Sequence, residues 1–147
     1  NFLVQVNYTL NMELISQIKK KGHRVTQSRE LICKILEESG HAHFTVDEIY
    51  QKVIKKNSNI DLATVYRTLE LLGEIGLIAH LHQAHGSGIY FLKNNENTMH
   101  IICINCNKIL DVSSKTYNKI NSLLIQETQF TKIHNNFIYS GACGNCK

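Results

Sequence analysis

The stretch 61-DLATVYRTLELLGEIGLIAHLHQAHGSGIYFL-92 joins a helical pattern directly to an alternating one. Apolar residues recur at helical spacing from Leu62 to Leu72, and Gly76 stands where such a helix would end. Two strand-like runs follow, LIAHLH and GIYFL, and the glycine-containing segment QAHGS between them is typical of a hairpin turn. The stretch therefore predicts a helix followed by a β-hairpin.

Upstream of this stretch, from Met12 onward, apolar residues again recur at helical spacing and predict three more helices. The predicted total is four. Thr26 and Thr45 are candidate N-caps, and Glu48 completes a capping box with Thr45. Gly40 stands at another expected helix end. Three helices followed by a hairpin are the layout of a winged helix, in which one helix enters the major groove of DNA.

The helix that begins after Asp61 is the best candidate for reading DNA. We expect Leu62, Val65, Leu69 and Leu72 to face inward, and Ala63, Thr64, Tyr66 and Arg67 to lie at the exposed N-terminal end. Since that end carries the positive dipole and free N–H groups, Thr64 could bond a phosphate and Arg67 could meet a guanine edge or a phosphate. The pattern alone is weak evidence, because many surface helices carry Tyr-Arg.

Charge adds a second, equally modest signal. The net charge is +4 at pH 7. The segment from Lys19 to Lys34 contains six basic residues and only one acid, Glu30. Such a cluster is suited to tracking phosphates, and a solvated basic helix face is the alternative.

Two Cys-x-x-Cys pairs, in HIICINC (100–106) and GACGNCK (141–147), use four of the five cysteines. Two thiolates on one tight turn can occupy two corners of a tetrahedron, so the pairs together predict a closed structural zinc site at Cys103, Cys106, Cys143 and Cys146. A thioredoxin-like redox motif is the competing interpretation, but it expects one pair that opens a helix. Cys33, among apolar neighbours, is predicted to be a buried packing residue.

The pattern changes after the hairpin. HIICI and KILDV look like strands on either side of the first cysteine pair, SKTYNKINSLLIQET like an amphipathic helix, and FTKIHNNFIYSG like a return to strand. We therefore predict an α+β protein with a DNA-binding domain at 1–94, in which 1–11 form an extension, and an α/β domain at 95–147. The apolar runs are too short to span a membrane, and the chain start lacks signal-peptide features, so we expect a cytoplasmic location without a membrane partner.

Several segments together resemble the ferric uptake regulator (Fur) family of bacterial metal-responsive repressors, with its Fur, PerR and Zur branches. They are GHRVTQSRELICKIL, HFTVDEIYQKV, LATVYRTLELLGEIGLI and HIICINCNKILD, in order and spacing. The resemblance implies a homodimer with an N-terminal winged-helix domain and a C-terminal dimerisation domain, which binds an AT-rich inverted-repeat DNA operator when metal is loaded. It also implies that Tyr66 and Arg67 contact the major groove, that Arg24 stands at the position of a minor-groove lysine, and that the four paired cysteines hold structural Zn²⁺.

The family's regulatory metal lies between the two domains, and its ligand pattern is only partly present. By resemblance His43, His100 and Asp111 match ligands, whereas Phe91 and Thr98 stand where the family has an acid and a histidine. His80 and His82, which share a strand face, are candidate replacements, with His85, His41 and Glu96 as further candidates. A solvated or DNA-facing role is the alternative for the hairpin histidines.

Nitrogen ligands with one carboxylate suit Fe²⁺, Mn²⁺ or Zn²⁺ as the regulatory metal. Asp rather than Glu at position 111 resembles the peroxide-sensing branch. The sequence thus predicts a metal-regulated DNA-binding repressor and no enzymatic activity. The alternatives are a Fur-like regulator that responds to peroxide or thiol oxidation or binds DNA constitutively, and a zinc-dependent or thiol enzyme.

Overall fold

The chain forms two compact units, Asn1–Lys93 and Asn94–Lys147. The structure is a computed structural model, and it describes residues 13–82, 87–93, 99–131, 133 and 138–146.

The first unit contains the four predicted helices. They are α1 (Glu13–Lys20), α2 (Gln27–Glu38), α3 (Val46–Lys56) and α4 (Leu62–Glu74). Both predicted threonine caps are confirmed: the Thr26 side chain accepts from the backbone N–H of Arg29, and Thr45 forms the complete capping box with Glu48. Gly40 and Gly76 follow the ends of α2 and α4 with φ of 60° and 79°, a backbone conformation that glycine adopts without steric cost.

The predicted hairpin strands are β2 (Ile78–Leu81) and β3 (Ile89–Leu92), which pair antiparallel. A two-residue strand that the sequence does not predict, β1 (Phe44–Thr45), adds to β3, so the sheet order is β1-β3-β2. Tyr90 has Phe44 on one side and His80 on the other as its direct cross-strand partners. The register of this sheet fixes the face on which His80 lies.

The core of the first unit lies between the apolar faces of the four helices and one face of the sheet. On α4 the inward face is as predicted, with Val65, Leu69 and Leu72 at most 1% exposed. From the sheet, Ile78 belongs to the core, while Phe44, Tyr90 and Leu92 pack against it. Because the core covers the inner side of α4, Tyr66 and Arg67 are left on its exposed side.

The second unit is a three-stranded sheet with one long helix. The strands are β4 (Met99–Cys103), β5 (Ile109–Val112) and β6 (Ile138–Gly141), in the order β5-β4-β6, and the helix is α5 (Ser114–Thr128). β4 pairs antiparallel with β5 and parallel with β6. A short 3-10 helix, Gly144–Cys146, follows β6. The protein therefore has the predicted α+β fold.

None of the helices in the described part of the chain is long and apolar enough to cross a membrane. Thr98, His85 and Glu96 lie outside the described residues.

Candidate functional site

The four paired cysteines meet at one end of the second sheet. Cys103 ends β4, and the chain turns through Cys106 to Asn107, whose φ of 57° is tolerated by asparagine. The N–H of Asn107 donates to the Cys103 carbonyl at 2.9 Å and closes this turn. The second pair lies after β6, with Cys146 in the 3-10 helix. Because β6 runs parallel to β4, both pairs reach the same end of the sheet.

The sulfur positions fit one tetrahedral ion. All four Sγ atoms lie within 4.8 Å of one another, and those of Cys106 and Cys143 are 3.8 Å apart. A Zn–S distance of about 2.3 Å places two tetrahedral ligands about 3.8 Å apart. The second unit therefore has a closed four-cysteine centre suited to structural zinc, as predicted.

The electrostatics of this cluster also favour a cation. Hydrogen bonds from the backbone amides of Cys143, Cys106 and Asn105 lower the pKa of the Cys103 thiol to about 6. The neighbouring side chains of Cys143 and Cys106 raise the pKa of Cys146 to about 12. Thiolates this close repel one another, and a divalent cation that binds all of them offsets the repulsion.

Within the first unit, His41 and His43 lie beside the position where the family has an acid. The ring centroids of the two histidines are 5.3 Å apart, and the Phe91 ring lies 5.4 Å from His41 and 4.9 Å from His43. His41 Nδ1 donates to the Leu92 carbonyl at 3.1 Å. Phe91 is buried and offers no ligand atom, so the chain has an aromatic wall where the family has a carboxylate.

Within the second unit, His100 and Asp111 are direct cross-strand partners on β4 and β5. His100 Nδ1 lies 2.6 Å from Asp111 Oδ1. A carboxylate that accepts from one ring nitrogen orients the other nitrogen toward a metal and raises its basicity. Asp111 can orient the His100 ring through one oxygen and offer its other oxygen to an ion, and both residues lie on strands that lead to the zinc centre.

His80 and His82 form a separate pair. Their ring centroids are 4.3 Å apart, and His80 stacks on Tyr90 at 4.2 Å with an angle of 4° between the rings. A Cβ at position 88 would lie 2.0 Å from His80 Nε2, so the glycine there admits the stacked ring. Burial, and then His82, lower the pKa of His80, which favours its neutral form.

The sheet separates this pair from His43. His80 lies on the same face as Tyr90, its cross-strand partner, whereas Phe91 is the next residue along β3 and faces the other way. The ring contact with Phe91 puts His43 on that other face. The structure therefore does not bring His80 and His82 together with His43, although all three are candidate ligands of one regulatory metal by sequence.

The candidate DNA-contacting residues lie at the N-terminal half of α4 and before α2. Tyr66 is 40% exposed, and Arg67 and Arg24 are exposed. The Arg29 guanidinium donates to the Arg24 carbonyl and thereby ties the segment before α2 to that helix. These cationic and aromatic side chains are the types that contact DNA phosphates and base edges.

Asp61 has a role in α4 that was not predicted from the sequence. It caps α4 by accepting from the Thr64 N–H at 2.7 Å, so this N–H group is not free, contrary to the expectation. Hydrogen bonds from the Thr64 side chain and backbone, and then the charge of Arg67, lower the pKa of Asp61. An Asp directly before an apolar periodic run is a cap signal, and it could have identified this residue. A phosphate at this helix end would therefore have to bind side chains and the remaining N–H groups.

A model of the ferric uptake regulator family matches residues 20–140. The chain belongs to the ferric uptake regulator family. The chain is 35% identical to the peroxide-responsive repressor PerR of Staphylococcus epidermidis over 135 residues. The aligned residues cover 92% of this chain and 89% of the relative. Members of the Fur family are dimeric DNA-binding regulators, and the relatives are regulators by name.

Solved structures of Fur proteins share the fold. The Helicobacter pylori ferric uptake regulator, in which three functional metal binding sites are seen, matches with a TM-score of 0.80 and 25% identity over 95% of this chain and 93% of that one. The Campylobacter jejuni peroxide stress regulator matches with a TM-score of 0.63 and 29% identity over 92% of this chain and 98% of that one. The winged-helix first unit and the α/β second unit with its four cysteines are thus those of a Fur protein.

Proposed function

We propose that this chain is a metal-regulated repressor that binds AT-rich inverted repeats as a homodimer through Arg24, Thr64, Tyr66 and Arg67. The exposed pair Tyr66 and Arg67 on α4 carries the proposal. These side chains project from the helix that a winged helix inserts into the major groove. The first unit is then the DNA-binding domain, and the second is the dimerisation domain.

An apolar face on the second sheet supports dimerisation. Ile101, Leu110 and Tyr139 are cross-strand neighbours, so they lie on one face of β5-β4-β6, and they are 38%, 52% and 49% exposed. Such a contiguous exposed apolar face marks an interaction surface. A second copy of this chain is the occupant expected in a family of dimers, and an isologous contact would bury the face on both copies at once.

The proposed metal regulation involves two kinds of metal site, one structural and one regulatory. The four cysteines keep a structural zinc, and His43, His100 and Asp111 would be ligands of the regulatory Fe²⁺, Mn²⁺ or Zn²⁺. Metal binding would favour the dimer in which the two α4 helices have the spacing of the operator half-sites. The difference in metal-binding free energy between this form and the others is the coupling between metal and DNA.

The test is fluorescence anisotropy of a labelled AT-rich inverted-repeat duplex with zinc-replete protein under anaerobic conditions, with and without added Mn²⁺, Fe²⁺ or excess Zn²⁺. We expect at least one metal to tighten binding tenfold or more, or about 1.4 kcal/mol. Replacing Arg67 with alanine should weaken binding by about 1 to 3 kcal/mol, because one groove or phosphate contact is lost.

Lys119, an exposed residue on α5, provides the control. Lys119→Ala also removes one positive charge, but from the second unit, and should leave DNA affinity unchanged. Normal operator affinity in Arg67→Ala would contradict the proposed DNA surface. Tight binding that ignores every metal would instead identify a constitutive regulator.

A second candidate function is peroxide sensing, which is favoured by Asp111 and by the similarity to PerR. In this form hydrogen peroxide would oxidise a histidine ligand of bound iron, with one oxygen atom added to the ring and the other released as water, and the protein would thereby release DNA. Mass spectrometry of iron-loaded protein after peroxide treatment should then find the added oxygen on His43 or His100. Oxidation confined to the cysteines would point to thiol sensing.

A further inference from the structure

We propose that His41 is a ligand of the regulatory metal. It would supply the ligand atom that the family's acid supplies at the position occupied here by Phe91. This inference rests on the proposed function, since it assigns a ligand to the regulatory site. It concerns the first unit alone, in which His41, His43 and Phe91 are neighbours. A histidine at position 41 is not part of the ligand pattern that the resemblance implies.

The tautomer of His41 suits a metal ligand. Its Nδ1 lies 3.1 Å from the Leu92 carbonyl oxygen, and a carbonyl can only accept. Nδ1 therefore carries the hydrogen, and in the neutral ring the lone pair is on Nε2. Metal-binding histidines typically make such a bond from the other ring nitrogen to a backbone carbonyl, because it fixes the ring orientation.

The distance between the His41 and His43 ring nitrogens also suits a shared ion. A ring nitrogen of His41 lies within 4.8 Å of a ring nitrogen of His43. Two nitrogens bound to one tetrahedral ion at about 2.0 to 2.1 Å are roughly 3.3 Å apart. The separation in the structure is thus within about 1.5 Å of the one that a shared ion requires, and both rings contact Phe91.

Phe91 provides an apolar environment for the two histidines. Its ring contacts both histidines and is itself only 5% exposed. An apolar wall beside a metal limits access of water and strengthens the interaction of the ion with its ligands. Phe91 thus removes one oxygen ligand but shields the two nitrogen ligands that remain in this unit.

The exchange also changes the metal preference. An acid supplies a negative oxygen, whereas His41 supplies a neutral nitrogen. Imidazole suits zinc, iron, cobalt and nickel, and carboxylates suit manganese. With His41 as a ligand, the site should discriminate more strongly against Mn²⁺ than a site with an acid at position 91.

The decisive substitution is His41→Asn. The asparagine side-chain N–H can take the place of Nδ1–H in the bond to Leu92, but it has no counterpart of Nε2. A role confined to packing or to the Leu92 bond would leave metal affinity intact in this variant. His43→Asn removes a ligand of the proposed site, and His23→Asn makes the same change at an exposed histidine outside it.

The measurement is titration of Co²⁺ into zinc-replete full-length protein, followed by its ligand-field absorption. Zinc content should stay at one ion per chain, which shows that the four-cysteine centre is untouched. We expect His41→Asn and His43→Asn each to weaken Co²⁺ binding at least about tenfold and to change the band intensity, as loss of a ligand does. His23→Asn should match the wild type, and thermal unfolding without Co²⁺ should show that all variants fold.

Wild-type affinity and spectrum in His41→Asn, beside weakened binding in His43→Asn, would overturn the role of His41 and leave the proposed function standing. Absence of any Co²⁺ site beyond zinc in the wild type would overturn the metal regulation itself, and His41 as a ligand with it. Equal weakening in His23→Asn would show that the effect is not specific to the site, and would also overturn the proposal.

Discussion

At the scale of single residues, the same side chain has opposite chemistry in the two units. Cys33 is fully buried in the helical core, and burial, with a smaller contribution from Glu37, raises the pKa of its thiol to about 12. Cys103 lies among backbone N–H donors that lower its pKa to about 6. Since the thiolate is the reactive form, position in the fold alone makes Cys33 inert and Cys103 a ligand.

We predict that Cys33 resists iodoacetamide in the folded protein. At pH 8 about one thiol in ten thousand is ionised at a pKa of 12, and the core also excludes the reagent. Labelling should remain slow up to pH 10. Because the folded state holds this proton more tightly than the unfolded state, its stabilising contribution is complete below pH 9 and is lost as the pH rises toward 12.

Peptide mapping by mass spectrometry after timed alkylation checks this prediction. Protein unfolded in guanidinium chloride is the control, and there Cys33 should label at the rate of an ordinary cysteine. Rapid labelling of Cys33 in the native protein would mean that the core between α1, α2 and α4 opens easily.

At the scale of elements, the second cysteine pair connects the end of the chain to the sheet. β6 and the 3-10 helix are anchored by the parallel ladder to β4 and by the bond from Asn105 Nδ2 to the Cys146 carbonyl at 3.1 Å. Zinc adds a link from Cys143 and Cys146 to the turn after β4. A small unit gains much of its folding free energy from such an ion.

We predict that Cys143→Ala loses the zinc and lowers the melting temperature of the second unit. The three remaining thiols cannot close a tetrahedral site. Elemental analysis and calorimetry are the measurements. Cys33→Ala is the matched control: it should keep one zinc per chain and lower the stability by about 1 kcal/mol through a small core cavity. Retention of zinc by Cys143→Ala would contradict the four-cysteine centre.

Elements with a strong local signal could be predicted from the sequence. The caps at Thr26 and Thr45 and the apolar face of α4 act within a few residues, so helix positions follow from spacing. β1 could not be predicted, because two residues carry no period and Phe44 and Thr45 become a strand only by pairing with β3. Similarly, the separation of His80 from His43 depends on the register of three strands rather than on either segment alone.

The histidines proposed as metal ligands show the same limit. Their residue type was visible in the sequence, and so was the loss of the acid at Phe91. The bond from His41 to Leu92 joins residues 51 positions apart, and no local pattern reports it.

At the scale of the whole molecule, the proposed function requires two copies that act together. One α4 helix reads one half of an inverted repeat, so affinity for the full operator depends on a stable dimer. The exposed face of Ile101, Leu110 and Tyr139 is the candidate contact, and its centre is Ile101 on the middle strand.

We predict that Ile101→Glu dissociates the dimer. In a two-fold contact the substitution appears on both copies, and a charge buried without a partner is strongly unfavourable. The dimer dissociation constant should therefore rise at least about a hundredfold, or roughly 3 kcal/mol. Sedimentation velocity measures the assembly state, and affinity for the full inverted repeat should fall with it while zinc content stays at one ion per chain. Gln51→Glu adds the same charge at an exposed position on α3 and should change neither quantity. A dimer of Ile101→Glu with undiminished stability would place the contact elsewhere in the chain, and the spacing of the two α4 helices would then have to be set by a different surface.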